Sequence, residues 1–322
     1  MEKRIRHYDV LINEDNMRLD EFLAYKMGRM TRSMANRCIK AGGVSLMPYR
    51  PPKPALRVHT GDVVAITQTM ADDTPQYDEL HLLFENDDFW CFDKPAGMAV
   101  HPTANIYHNT VTRYVESQLD AVPYIVHRLD KDTSGALIVA KKQAVGKEMA
   151  EAFLSHQIHK EYVAIVYNAQ DRYYPGASQD IKIPLGPAGR LMPDITRGVG
   201  SQDAYTEVHC DDIHGKLAKL RCILHTGRQH QIRVHLALTG TPILGDKLYF
   251  FGEQFYQTFL NKETVPQYAP HRHLLHAHRL RFTWKNADFA FTAPTPALFD
   301  EVFKNNLTDS AFPTGYARLF IK

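Results

Sequence analysis

The stretch "YIVHRLDKDTSGALIVAKK", residues 124 to 142, does most to limit what this chain can fold into. Two short runs rich in β-branched residues, Tyr124-Ile125-Val126 and Ala136 to Ala140, are bounded by turn residues and read as strands. The link from Asp130 to Gly135 is too polar to be buried without partners. It belongs at a sheet edge, where rigid strands hold loop side chains in place. Asp130 or Asp132 there either accepts backbone N–H groups in an Asx-type turn or faces a ligand, and the stretch alone leaves both roles open. Short runs of the same kind recur as "HLLFE", "FWCFDK", "EYVAIVYN", "AYTEVHC" and "KLRCILHTG", with helices expected near 144 to 156 and 229 to 239. Many strands, few helices and long loops predict an α+β domain built on a mostly antiparallel sheet.

The chain has 322 residues, of which 44% are hydrophobic, enough for one large core and a small satellite domain. No apolar run approaches the roughly 18 residues that span a bilayer. "MEKRIRHYDV" lacks the apolar segment of a secretory signal, so a cytoplasmic protein with no membrane partner is expected. Cysteines at 38, 91, 210 and 222 show no C-x-x-C spacing, which argues against a disulfide framework and a thiolate zinc site. Cys38 and Cys222 are expected to be buried.

The net charge of +2 is unevenly spread: residues 1 to 66 hold twelve Lys/Arg against seven Asp/Glu, and the rest hold twenty-six against twenty-nine. A small basic module suits a polyanion, though a solvated surface is the plainer reading. In "MRLDEFLAYKMGRMTRSMANRCIKAGGVSL", Leu19, Phe22, Leu23 and Met27 fall at helical spacing. A second helix would turn Met34 and Cys38 inward and stop at Gly42-Gly43. Arg29, Arg32, Asn36 or Arg37, and Lys40 recur every three or four residues, gathering charge on one outward face suited to phosphates. "ALRVHTGDVVAI" adds a turn and a strand that ends near Ile66. This stretch resembles the S4 RNA-binding domain, with its R-L-D-x-F-L helix, basic S-R-S-type helix and Gly-Asp-Val strand. It departs from that pattern at the proline-rich "VSLMPYRPPKPAL", where a V-N-G turn is usual. The polar, acidic "QTMADDTPQYDE" reads as a linker. The expected division is an S4-like domain and linker over 1–74 and a second domain over 75–322.

Three further stretches place polar groups oddly. "KPAGMAVHP" joins Lys94 to His101 through a turn that is common taken alone. In "HKEYVAIVYN" alternation sets Tyr162, Ala164 and Val166 on one face, so Tyr162 is a core residue or lines a pocket. "HTGRQHQIRVHLALTGTPILGD" puts Arg228, His230, Gln231 and Arg233 into the first turns of a helix that follows Gly227. Cations there oppose the helix dipole, and a compensating anion would explain them.

Together, "HRLDKDTSG" with "AKK", "KEYVA", "TGRQHQIRVHLA", "PILGDKLY" and "LLHAHRLRF", in this order, resemble the RluA-type pseudouridine synthases from about residue 80 onward. The resemblance implies an isomerase that converts selected uridines of RNA to pseudouridine without metal, nucleotide or redox cofactor. It implies Asp130 as catalytic aspartate, Arg128 holding the flipped-out nucleotide or filling its place, and Tyr162 stacking on uracil. Arg233 would pair with Asp130 and Ile232 would pack on the base, with His127 and Arg228 also counted among the substrate-binding residues. By family analogy the S4-like module favours large-subunit ribosomal RNA over transfer RNA. A monomer is expected.

The chemistry needs these residue types. Breaking the C1′–N1 bond and joining C1′ to C5 calls for a group that adds and leaves again, as a carboxylate can. Burial raises a carboxyl pKa by up to 3 to 5 units and a nearby cation lowers it by about 1 to 3, so Asp130 needs an arginine. Other classes compete. A glycoside hydrolase would pair Asp130 with Asp132. A metal site would use His271, His273, His276 and His278. An RNA-binding protein with an inactive enzymatic domain would lack the expected side chains, all of which are present.

Overall fold

The computed structural model describes residues 3–27, 30, 32–69, 74–103, 106–186, 202–250 and 272–304. The chain forms two compact units, Met1–Thr74 with Ala104–Ile106, and Pro75–Thr103 with Tyr107–Lys322.

In the first unit, β1 (Lys3–Asp9), β2 (Val44–Met47) and β3 (Val63–Thr69) form an antiparallel sheet in the order β1-β3-β2. Two helices, α1 (Leu19–Met27) and α2 (Arg32–Lys40), pack with it. Leu19, Phe22 and Leu23 are fully buried, as their helical spacing requires, and meet Val44, Leu46, Val64 and Ile66 of the strands. The inward stripe of α2 differs from expectation. Ala35 and Ile39, one turn apart, are buried, whereas Cys38 is half-buried. Both join the core formed by Leu19, Phe22 and Leu23 of α1 with the strands. Arg29 and the side chain of Met34 lie outside the described residues. Strand β1 has no apolar alternation to announce it: at the sheet edge Ile5, Arg6 and His7 are all exposed.

Arg37 and Lys40 are exposed. Arg32 is exposed too, but its guanidinium lies 3.6 Å from the buried carboxylate of Asp20. Asp20 also accepts two hydrogen bonds of 3.0 Å from Arg18 and one of 3.3 Å from Asn36. These partners outweigh burial and hold the Asp20 carboxyl below its ordinary range.

The second unit is a large sheet with helices on both faces. Its strands are β4 (His81–Glu85), β5 (Phe89–Lys94), β6 (Tyr124–Ile125), β7 (Ser134–Ala140) and β8 (His159–Tyr167). Then come β9 (Ser178–Ile181), β10 (Thr206–His214), β11 (Leu217–Leu224), β12 (Leu275–Trp284) and β13 (Ala287–Thr292). The order is β4-β5-β7-β12-β8-β11-β10-β9, with β6 also beside β7 and β13 beside β12. Among the described residues the β7·β12 pair alone is parallel, so this is an α+β fold on a mixed, mostly antiparallel sheet. No helix among them is long and apolar enough to cross a membrane.

The apolar run that suggested β7 is continuous because both faces of that strand are covered; all seven of its residues are buried. Leu137 and Val139 pack with Val111 and Val115 of α3 (Val111–Gln118) and with Ile232 and Leu236 of α5 (Gln231–Leu238). Ala136, Ile138 and Ala140 meet Val145, Met149 and Phe153 of α4 (Gln143–Leu154) on the other face. Each such large side chain contributes about 1.5 to 3 kcal/mol on burial. Further along that second face, Val163 and Ile165 of β8 pack against Phe299 and Phe303 of α6 (Ala297–Lys304).

Close approach at the parallel crossing depends on one residue. Gly135 has φ +114° and lies beside Ala277 of β12 in register. A Cβ there would overlap the Ala277 carbonyl. Gly135→Ala should therefore cost at least about 2 kcal/mol, combining backbone strain and overpacking. Urea unfolding of the two proteins measures it, and an unchanged midpoint would contradict this account of the crossing.

Candidate active site

Between β6 and β7 the chain makes the turn that carries Asp130. The Thr133 N–H donates to the Asp130 carbonyl at 3.1 Å, closing the turn. Both flanks are anchored. On one side His127 Nε2 accepts the Ile138 N–H at 2.9 Å, and its ring stacks on Phe153 at 4.1 Å. Burial, with the charge of Lys160 second, pushes His127 down to about 3, so the imidazole is neutral. On the other side Thr133 Oγ1 bonds His273 Nε2, and Ser134 Oγ bonds His276 Nδ1, both at 2.8 Å.

A second anchor comes from the Lys94-Pro-Ala-Gly turn. Lys94 is fully buried and donates to the carbonyls of Pro95, Met98 and Lys131 at 2.7, 2.8 and 3.1 Å. The Lys131 carbonyl also accepts the Gly97 N–H at 3.0 Å. Burial first and the Arg272 charge second push Lys94 down to about 7. A stretch that reads as a common loop thus clamps the residue next to Asp130.

Arg233 meets Asp130 from α5. Its Nη1 donates to Asp130 Oδ2 at 2.8 Å, while Nε and Nη2 form a fork onto Asp246 at 2.6 and 3.0 Å. Asp246 is fully buried and also accepts the N–H groups of Leu248 and Tyr249, each at 3.0 Å. The sequence reading missed Asp246; its signal is an aspartate in an otherwise apolar "PILGD" run, which needs a cation if buried. The helix start also differs from expectation. It begins at Gln231, with His230 as its N-cap in the left-handed region at φ +55°. Arg228 lies in the preceding loop, its Nε donating to the Asp203 carbonyl at 3.0 Å. Only Arg233 among the cations is in the first turn, and the two carboxylates supply the anions it needs.

His230 completes the surroundings of Asp130. Its Nδ1 is 2.9 Å from the Tyr249 hydroxyl and its Nε2 is 3.7 Å from Asp130 Oδ1. Burial pushes the imidazole down despite that carboxylate. Burial works to raise Asp130 as well, but His230, Arg233 and His273 outweigh it and hold the carboxyl below its ordinary range. Asp130 is therefore ionised at neutral pH.

These groups border a cavity of about 520 Å³, within the size range of small-ligand sites. Asp130, Arg233, Tyr162, Ile232, Arg128, Arg228 and His127 all line it, joined by His230, Lys160 and Leu275. Tyr162 is buried on the alternating face of β8, and burial together with the Asp130 charge holds its phenol above its ordinary value. Arg128 is exposed. Of the four basic residues of the helical module, Arg32, Arg37 and Lys40 lie in the first unit, and Arg29 is outside the described residues.

The competing sites are not assembled. His273 and His276 bond Thr133 and Ser134, and His278 Nδ1 lies 3.1 Å from the Ala293 carbonyl. His271 is outside the described residues, among which no three His, Cys, Asp or Glu side chains are grouped to hold a metal. Asp132 lies 3.5 Å from Lys247 and, like Asp130, is held below its ordinary range against the pull of burial. Neither carboxyl is the raised acid a hydrolytic pair requires.

Comparison with known proteins agrees with this geometry. Residues 88–238 match the family model described as RNA pseudouridylate synthase. The chain belongs to that family, whose members are isomerases acting on RNA. Ribosomal large subunit pseudouridine synthase D of Xanthomonas campestris is 34% identical, over 72% of this chain and 71% of its own length. The protein of the same name from Zymomonas mobilis is 31% identical over 86% and 90%. An RNA pseudouridine synthase of Chlorobaculum parvum is 32% identical over 89% and 93%. The fold is shared with human RNA pseudouridylate synthase domain containing 4, at a TM-score of 0.55 and 23% identity, over 70% of this chain and 92% of that one.

Asp246 makes a prediction about stability. The Arg233 pairing holds its carboxyl far below the ordinary value even though it is fully buried. A depressed carboxyl contributes stability that is fully present well above the unfolded pKa, about 3.9, and is lost progressively as pH falls below that value towards the lower folded one. Asp246→Asn should cost about 3 to 5 kcal/mol at neutral pH by leaving Arg233 half-paired. It should also flatten the acid limb of the stability curve. Unfolding free energies measured between pH 3 and 7 check both, and parallel curves would contradict the assignment.

Proposed function

We propose that the chain isomerises uridines of large-subunit ribosomal RNA to pseudouridine, with Asp130 as the nucleophile. The observation that carries this reading is the ionised Asp130 carboxylate in the cavity, held at one oxygen by Arg233 and bordered by the buried Tyr162. The relatives named for the ribosomal large subunit support the choice of RNA. An ionised carboxylate can add to an electron-poor carbon and depart again. Attack at C1′, addition at C6 and assistance to glycal formation all start from that state.

The uridine must leave its stack at a cost of a few kcal/mol, which stacking on Tyr162 and burial against Ile232 offset. Arg128, exposed on the Asp130 turn, holds the displaced nucleotide or fills its place. His127 and Arg228 border the same cavity and face the substrate. The basic residues Arg29, Arg32, Arg37 and Lys40 serve as an S4-like handle on the RNA. The protein acts as a cytoplasmic monomer, and the reaction needs no metal or other cofactor.

Mapping pseudouridines in RNA from cells lacking the protein tests the substrate: one or more ribosomal sites should return to uridine, and a loss confined to transfer RNA would overturn the assignment. With purified protein, Asp130→Asn should bind RNA yet form no pseudouridine, whereas Asp132→Asn keeps substantial activity. Equal turnover by both would rule out Asp130 as nucleophile.

Two further outcomes follow from charge. Arg233→Lys keeps a cation but loses the planar fork, so the Asp130 pKa should rise, moving the acid limb of the single-turnover rate up by about 1 unit. A uniform loss at every pH would mean Arg233 does not act on the ionisation of Asp130. Deleting residues 1–70 should weaken RNA binding and flatten its salt dependence by about 0.7 in log–log slope per phosphate released. An unchanged slope would remove the electrostatic role of the first unit.

A further inference from the structure

Lys160 lines the cavity but takes no part in the Asp130 cluster. It is the second residue of β8 and is only 6% exposed. Among the described residues no carboxylate pairs with it and no carbonyl accepts from it. The contrast with Lys94 is direct, since that fully buried ammonium donates to three carbonyls. The side chain is thus largely buried while its ammonium opens on the cavity, and such a charge suits a ligand that supplies the missing partner.

The neighbours of Lys160 sharpen the point. Its charge opposes protonation of His127 and of His156, and His156 also feels Arg228 and His225. Burial lowers Lys160 itself, with no anion to restore it. Among the described residues, the groups that feel its charge, His127 and His156, are both imidazoles. The groups that act on Asp130 are different ones, His230, Arg233 and His273, which places Lys160 beside the reacting carboxylate's cluster and not within it. Lys160 and Tyr162 are two residues apart on one face of a strand, about 6.5 Å. A uridine stacked on Tyr162 therefore brings its adjoining backbone towards Lys160. Before reaction, uracil and ribose are neutral and the phosphodiester is the anionic group of RNA.

We propose that Lys160, with Arg228 and His156 on the same cavity wall, forms a site for a backbone phosphodiester next to the displaced uridine. The proposal rests on the reading of RNA as substrate and adds a specific contact to it. The ammonium then serves as a point charge in a water-poor setting, where one charge-assisted hydrogen bond is stronger than at the surface.

The test uses the full chain and a transcript of large-subunit ribosomal RNA. Lys160→Met keeps the apolar stem and removes the charge; Lys160→Gln is a second neutral variant, and Lys160→Arg restores the charge. Because the lost charge is unpaired in the free protein, Lys160→Met should melt no lower than wild type. Both neutral variants should bind the transcript about tenfold or more weakly, as expected for one charge-assisted hydrogen bond. Their log–log salt slope should be shallower by about 0.7, the value for one phosphate on single-stranded RNA. Lys160→Arg should recover part of the affinity. The larger share of the loss should fall on Kd and the smaller on the single-turnover rate at saturating RNA.

Wild-type Kd and slope in the neutral variants would overturn the proposal, as would a loss confined to the saturated rate, which would mean that Lys160 acts on the base. A wild-type protein that binds the transcript but forms no pseudouridine would refute the proposed function while leaving the binding comparison to decide on Lys160.

Discussion

The bond between Arg233 and Asp130 is the constraint on which the rest of the second unit turns. A carboxylate taken out of water tends to pick up a proton, and one that does so cannot be a nucleophile. Arg233 counters this, but a buried guanidinium has its own desolvation cost. Asp246 supplies the second anion. By taking the Nε and Nη2 fork, Asp246 fixes the guanidinium plane and leaves Nη1 to meet a single oxygen of Asp130. The other oxygen, 3.7 Å from His230 Nε2, carries no short hydrogen bond from the cluster. Asp130 is charged yet engaged by Arg233 at one oxygen only, which suits the proposed role of a group that forms and breaks a covalent bond.

That arrangement needs three distant segments at sub-ångström tolerance, and the fold supplies them through rigid neighbours. Asp130 is held between strands, by the Ile138 backbone acting on His127 and by the Lys94 clamp on Lys131. Arg233 arrives on α5, whose Ile232 and Leu236 pack on the same core as Leu137 and Val139 of β7. Asp246 follows the turn after α5, and its carboxylate is fixed by accepting the N–H groups of Leu248 and Tyr249. The parallel β7·β12 crossing, possible only with glycine at 135, brings Thr133 and Ser134 against His273 and His276. Those histidines are dense in sequence because they buttress the turn.

The charges of the cavity divide into two kinds. Beside Asp130, Arg233 is paired with two carboxylates, so this cluster is organised before any ligand arrives. Around Lys160 no carboxylate partner is found among the described residues, and the proposed phosphodiester contact would supply one from outside. Separating the two lets binding and chemistry rely on different side chains of one cavity.

Much of this was legible in the chain itself. Strands β6 and β7, the two helices of the first unit and the apolar faces of α1 and β8 follow from periodicity, because burial of a face demands it. The order of short motifs, with Asp130, Tyr162, Ile232 and Arg233 among them, marked the family and the candidate site. What lay beyond reach were facts about space. Edge strand β1 buries no regular face and so leaves no apolar period. The inward stripe of α2 depends on how closely its neighbours approach. Asp246 and Lys94 have roles only through partners 13 and 37 residues away, and the solitude of Lys160 is a statement about what is not near it. Sequence sets which side chains exist and which faces must be buried; distance, pairing and desolvation, which decide the ionisation of Asp130, arise only when the chain is closed.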